Sequence, residues 1–271
     1  TRYWRDWSSD VCSSDLNGGA GDDNLDGSHV SVSNAQAGAD TYIGGPGYDR
    51  FSYFMRFAAI SATLDGVAND GEPGESDNVH PDVEEVGGGW GDDILIGSDG
   101  DNVLWGSSGN DTIRGLGGND KLYGDDGADL VDGGPGNDEI KGGCHDDRLI
   151  GGPGVDTLTS DDCTDFLKRG TMDRLEANDG ERDAMIFCSL SSETPADIAI
   201  VDPIDPVTNT GAGACGTIQI VTAVSGGTPT TLTGTVSLRF GTHATLLTGA
   251  GNVKKNQAAK RQLRLKRTTR T

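Results

Sequence analysis

Apolar residues recur along the middle of this chain at a fixed interval of nine. From Gly88 to Lys168 the register reads GGWGDDILI, GSDGDNVLW, GSSGNDTIR, GLGGNDKLY, GDDGADLVD, GGPGNDEIK, GGCHDDRLI, GGPGVDTLT and SDDCTDFLK. The eighth place is always aliphatic: Leu95, Leu104, Ile113, Leu122, Val131, Ile140, Leu149, Leu158 and Leu167. A period this strict predicts a solenoid, whose units bury their apolar residue only by stacking on neighbours. Places seven to nine predict a very short strand with its middle side chain inward and its flanks outward. Places one to six predict a turn, with glycines supplying backbone angles that other residues resist. Two turns and two strands close one coil, so each repeat stacks on the one eighteen residues away.

The sixth place carries the candidate chemistry. It is Asp93, Asn102, Asp111, Asp120, Asp129, Asp138, Asp147, Asp156 and Asp165. Stacking by eighteen puts Asp93, Asp111, Asp129, Asp147 and Asp165 in one row and Asn102, Asp120, Asp138 and Asp156 in the opposite row. Coils about 4.8 Å apart bring carboxylates of one sign together, and no basic side chain is interleaved in the turns to relieve them. A hard divalent cation does so. Ca²⁺ takes six to eight oxygens in flexible geometry, from carboxylates and from backbone carbonyls together. The expected arrangement is several ions, one between each pair of stacked turns, held by Asp93 with Asp111, by Asp120 with Asp138, and so on. The turn glycines Gly91, Gly109, Gly118, Gly127, Gly136 and Gly154 are the further candidate ligands, through their carbonyls. Magnesium demands a tighter octahedron, and zinc wants His or Cys ligands. Asn102 lacks the charge, so the Asn102/Asp120 site is expected to be the weakest.

These nonapeptides resemble G-G-x-G-x-D-x-U-x, the repeat of the RTX (hemolysin-type) calcium-binding proteins. The resemblance implies an all-β parallel β-roll, a β-helix solenoid with calcium between its turns. One buried aliphatic in nine residues recovers only a fraction of the entropy lost in ordering nine backbones. Metal and fold are therefore expected to be coupled, with a largely unfolded metal-free chain that orders in millimolar calcium, the range typical of extracellular modules.

Composition agrees with that class. The chain has 43 glycines in 271 residues and a net charge of −22. All 43 acidic residues and only 12 of the 21 basic ones lie within residues 1–205, which argues against nucleic acid as a partner. No apolar run is long enough to span a bilayer. The partners left open are a cell-envelope polymer or another protein, and the expected location is extracellular, secreted or at the cell surface.

Outside the main array the chain divides further. Residues 1–16 resemble the in-frame translation of a sequencing-adapter oligonucleotide and are set aside, so the native N-terminus is expected to lie outside this chain. Residues 17–52 hold degenerate repeats with Asp23, Asp40 and Asp49 at place six, disturbed by an eight-residue stretch, Gly27–Asn34. Residues 53–87 leave the pattern: strands are predicted at 53–57 and 60–64, followed by a solvated acidic spacer with eight acids from Asp65 to Glu85. Residues 169–215 read as an irregular, disulfide-bonded C-terminal cap, and residues 216–271 as a short, low-charge β segment with a basic tail from Lys254.

Cys144-His145 and Cys163 replace turn residues, and these turns are expected to be altered. Cys144 and Cys163 are nineteen residues apart, which favours a Cys144–Cys163 disulfide; a zinc site with His145 and both thiolates is the alternative. Cys188–Cys215 is the matching pair, and other connectivities remain open. With no H-E-x-x-H, no G-x-S-x-G and four histidines, no catalytic residue is expected. Three functional classes follow: a calcium-dependent structural or interaction module, the calcium-binding part of a secreted enzyme or cytolysin with its active domain elsewhere, and a surface adhesin.

Overall fold

Short strands separated by turns pair into parallel sheets in a computed structural model, which describes residues 2–4, 16–27, 39–160, 173–177, 179, 181, 183–187, 197–201, 206–209, 217–222, 234–237 and 245–247. No helix occurs among the described residues, so none is long and apolar enough to cross a membrane. They form sheets of eleven, nine and three strands. Register fixes the coil. Val103 pairs with Lys121, Lys121 with Glu139 and Glu139 with Thr157 on one side. Ile94, Thr112, Leu130 and Arg148 pair in the same way on the other. Each step is eighteen residues, as the repeat predicts, and the protein is a parallel β-roll.

The two walls face each other across a ladder of aliphatic side chains. Leu95, Ile113, Val131 and Leu149 come from one wall and Leu104, Leu122, Ile140 and Leu158 from the other, all buried. Side chains on either side of them point outward, because alternation in a three-residue strand leaves one inward position. The walls differ in one respect that the repeat does not show. Within the array the strands of the nine-stranded sheet, such as Thr112–Arg114, have three residues, whereas Val103–Ser108, Lys121–Asp126 and Glu139–Cys144 have six and run into the following turn.

The roll also extends beyond the array, which corrects the sequence reading at both ends. Residues 53–87 are built into it. Glu85–Gly87 pairs with both Arg50–Ser52 and Val103–Trp105, Ser61–Thr63 opens the nine-stranded sheet against Ile94–Ile96, and Asn78–Val79 closes the three-stranded sheet against Thr41–Ile43. Residues 53–57, expected as a strand, form a turn in which Arg56 N donates to Tyr53 O at 2.8 Å. Beyond the array, Arg174–Ala177, Ala184–Phe187, Asp197–Val201 and Pro206–Asn209 continue the two sheets in parallel. Antiparallel pairing begins only at Gly234–Ser237 and Thr245–Leu247. Arg2–Trp4, within the segment set aside, pairs with Asp23–Asp26. Cys163, Cys188, Cys215 and the basic tail lie outside the described residues.

The acidic stretch is not a solvated loop throughout. Asp70 and Asp77 are buried. Asp70 takes the N–H groups of Thr63 and Val79 at 2.7 and 2.8 Å, and Asp77 takes Asp40 N and the Tyr53 hydroxyl at 3.0 and 3.2 Å. Arg56, whose side chain is 5 % exposed, pairs with Glu75 at 3.0 Å, itself 9 % exposed, and with the more open Glu72 at 3.2 Å. Its Nε donates to Gly27 O. This guanidinium ties the turn at residues 53–57 to the acidic hairpin and to the first coils. Removing one partner of a buried pair leaves an uncompensated charge, which costs far more than loss of a surface pair. Arg56→Ala should therefore lower the stability of the calcium-loaded protein by about 3 kcal/mol in urea unfolding, while Glu72→Gln should change it by less than about 1 kcal/mol.

Candidate metal centre

The side chain at place six decides how coils join. Each sits at the end of a turn, just before the strand, and from Asp111 to Asp156 its Oδ1 accepts the backbone N–H of the sixth-place residue one coil earlier. Asp93 N donates to Asp111, Asn102 N to Asp120, Asp111 N to Asp129, Asp120 N to Asp138, Asp129 N to Asp147 and Asp138 N to Asp156, at 2.7–2.9 Å. The structure thus brings the predicted residues into the two predicted rows. The same bond links Asp23 N to Asp49 at 2.9 Å, so the degenerate repeats stack as well. Asp40 is only half-buried and joins its row through its N–H to Asp77. Asp165 lies outside the described residues.

Beyond the array, residues that nine-residue counting misses take these places. Asp147 N donates to Asp173 and Asp156 N to Asp183, at 2.9 and 2.8 Å. Asp49 N donates to Glu84 at 2.7 Å. The signal was present in the sequence as an acid two residues before an aliphatic or Met: Asp173-Arg-Leu175, Asp183-Ala-Met185, Asp77-Asn-Val79 and Glu84-Glu-Val86. Place five forms a second, exposed ladder that was also missed. Asn110 N donates to Asp92, Asn119 N to Asp101, Ala128 N to Asn110 and Asn137 N to Asn119, at 2.7–3.1 Å.

The second carboxylate oxygen is the anomaly. Oδ2 of Asp23, Asp49, Asp111, Asp120, Asp129, Asp138 and Asp156 is buried and accepts no hydrogen bond from the protein. A buried charged oxygen with no partner carries a large desolvation cost. Asp93 and Asn102 differ, because Gly89 N donates to Asp93 Oδ2 at 2.6 Å and Ser98 N to Asn102 Oδ1 at 2.7 Å. The bare oxygens of the main array therefore begin at Asp111.

Glycine at place one makes room for these oxygens. A Cβ on Gly106 would run into Asp111 Oδ2 on one side and the Gly124 carbonyl oxygen on the other. The same pair of oxygens brackets Gly115 (Asp120 and Gly133) and Gly133 (Asp138 and Gly151). Each is a cradle with a carboxylate oxygen on one side and a carbonyl oxygen from the next coil on the other. The predicted place-four glycines stack too: a Cβ on Gly127 would strike the Gly109 carbonyl, as Gly109 would strike Gly91, and Gly154 and Gly136 repeat the contact along the row of Gly118. Carbonyls thus line both turn edges.

This donor set fits Ca²⁺. It offers anionic and carbonyl oxygens in a flexible arrangement, without nitrogen or sulfur. Among the described residues no three His, Cys, Asp or Glu side chains gather into one cluster, so carbonyls would supply much of the coordination. His145 takes φ +82°, keeping the left-handed turn expected only of glycine, and lies 3.4 Å from Asp126 through Nδ1. His80 contacts Asp82 at 2.8 Å.

Electrostatics point the same way. Burial pushes Asp111, Asp120, Asp129 and Asp156 up to about 7 and Asp93 and Asp138 up to about 6, against the stabilising backbone N–H each accepts; neighbouring carboxylates add to the rise. With folded values raised above those of the unfolded chain, the metal-free roll holds protons that the unfolded chain has released. Its stability is fullest below about pH 4 and falls as pH rises to about 7. Calcium replaces those protons. Lowering pH from 8 to 6 should weaken calcium binding in a chelator competition, while β-content of the metal-free chain, read by circular dichroism, should rise between pH 7 and pH 5. Asp111→Asn keeps an acceptor for Asp93 N and removes the charge; it should weaken calcium binding at that turn about tenfold, whereas Asp92→Asn on the exposed ladder should leave binding unchanged.

The model of one protein family, described as the RTX calcium-binding nonapeptide repeat, matches residues 34–51, 87–122, 105–140, 123–158 and 142–168. No curated protein matches the chain. The matched segments take in Asp49 and the coils from Asp111 to Asp156 that carry bare aspartate oxygens, and over these residues the chain matches the RTX calcium-binding nonapeptide repeat family.

Proposed function

We propose that the protein is a calcium-dependent structural or interaction module of an extracellular protein. Calcium binding in a structural role is what the repeats themselves support. The observation that carries the reading further is the run of buried Oδ2 atoms of Asp111, Asp120, Asp129 and Asp138, each beside a carbonyl of the next coil. A roll that places anions in its own interior needs a calcium-rich surrounding to stay folded, and extracellular fluid provides millimolar Ca²⁺ whereas the cytosol does not. The excess of acid over base in residues 1–205 fits the same location.

How the aspartates are used supports a non-catalytic role for them. One oxygen holds the neighbouring coil by a short hydrogen bond and the other faces a cradle of oxygens, so neither is placed to exchange a proton with a substrate. The ions would be structural, bracing the two turn edges against the repulsion of the aspartate rows.

Far-UV circular dichroism of the purified full chain tests this. In about 5 mM CaCl₂ the β-sheet signal should be complete; excess EGTA at pH 7.5 should abolish most of it, and added calcium should restore it. A β-spectrum that survives EGTA unchanged would sink the proposal.

A further inference from the structure

The outer face of the eleven-stranded sheet carries a cleft away from the turn edges. One outward row crosses neighbouring strands in register as Asp26, Ser52, Gly87, Trp105, Tyr123 and Lys141. The Trp105 and Tyr123 rings stack with centroids 3.9 Å apart and planes at 13°. Lys141 Nζ stands 5.2 Å from the Tyr123 centroid. On the opposite side of Trp105 the row offers only Gly87, with no side chain, and resumes at Ser52. Strands repeat at about 4.8 Å, so Trp105 and Ser52 stand about 10 Å apart across the gap. The gap is one ladder step wide, which is the space Tyr123 fills on the other face of the indole.

A cleft of about 560 Å³ opens there. Trp105 forms one wall, Ser52 the other, and the exposed Phe54 and Met55 rise beside it. At one end lies the Arg50–Glu85 ion pair, 2.8 Å, with Arg50 half-exposed. The Tyr48 hydroxyl also donates to Glu85, at 3.0 Å, which fixes that carboxylate in place. The Trp105 Nε1 is buried and has no hydrogen-bond partner, a donor left without its acceptor.

We propose that this cleft binds one ring of a neutral sugar chain. A pyranose has two faces of C–H groups and an edge of hydroxyls. Its C–H face fits the electron-rich face of the indole. Its hydroxyls both donate and accept, and the rim supplies both: the Arg50 guanidinium as donor, carboxylate and amide oxygens of Glu85 and Asn24 as acceptors. An apolar side chain from a protein partner would desolvate Arg50 and Glu85 without replacing their contacts with water. Anionic polymers meet a chain of net charge −22, which repels them.

Isothermal titration of the calcium-loaded full chain tests the site, with cellohexaose, xylohexaose and mannohexaose as neutral probes and hexagalacturonate as the charged control. At least one neutral hexasaccharide should bind with Kd below about 1 mM, and the charged control should not. Trp105→Ala removes the stacking face and Gly87→Leu fills the gap from the other side. Each should weaken binding at least about tenfold, with the far-UV spectrum in calcium unchanged. Because the spectrum is read separately, loss of the roll is distinguishable from loss of the site. Failure of every neutral probe to bind would overturn the assignment, as would binding that both variants retain. Concentration-dependent dimerisation lost in Trp105→Ala would overturn it in favour of a second copy of this chain.

Discussion

A buried carboxylate with only one of its oxygens satisfied by the chain is the constraint on which this fold rests. The Oδ1 of each sixth-place aspartate holds the backbone N–H of the coil before it, a bond repeated from Asp111 to Asp156. In Asp111, Asp120, Asp129, Asp138 and Asp156 that bond draws the carboxylate inside the turn edge, where its other oxygen finds no donor. The interaction that stitches coil to coil therefore also creates an unpaid electrostatic cost, and the cost recurs every nine residues on alternating edges. Protons can meet it at low pH and calcium at neutral pH. Stability, metal dependence and pH dependence are then one property of one side chain.

The same bond explains why coil length can vary while register does not. Within the array the step is eighteen residues, but Asp23 to Asp49 and Asp147 to Asp173 are both 26 apart, and Asp156 to Asp183 is 27. In each case the carboxylate still meets the neighbouring N–H, and the aliphatic two residues on still enters the core, Leu149 against Leu175 and Leu158 against Met185. Longer coils are tolerated because lengthening a loop between two fixed points adds little entropy cost. The roll needs its acid and its aliphatic at fixed places in space; the glycine-rich turn is the shortest way to connect them.

That distinction separates what could be read in the chain from what could not. The period gave the two walls, the inward row from Leu95 to Leu158 and the two aspartate rows, because each depends on spacing alone. It missed Asp173, Asp183, Asp77 and Glu84, which keep the acid–aliphatic step but lack glycine turns at a regular distance. The aromatic run at 53–57 read as a strand; in the fold Phe54, Met55 and Phe57 are exposed, while Tyr53 and the charged Arg56 are buried. Its burial depends on Glu75 and Glu72, nineteen and sixteen residues away, and no local pattern announces a partner that a hairpin brings from that distance.

The inner half of each repeat is fully committed. Place six joins coils, place eight fills the core, and place one must stay small because Asp Oδ2 lies against it. Places seven and nine face outward and answer to neither requirement, so they are where a roll can acquire a surface of its own. Along the eleven-stranded sheet those positions are filled unevenly: Gly87, Trp105, Tyr123 and Lys141 follow one another in a single row. Stacking by eighteen residues turns a linear choice of side chains into a ladder with one rung per coil. A missing rung beside an aromatic one is then a slot of defined width, cut by the same repeat that sets the calcium ladder, yet free to change without disturbing it.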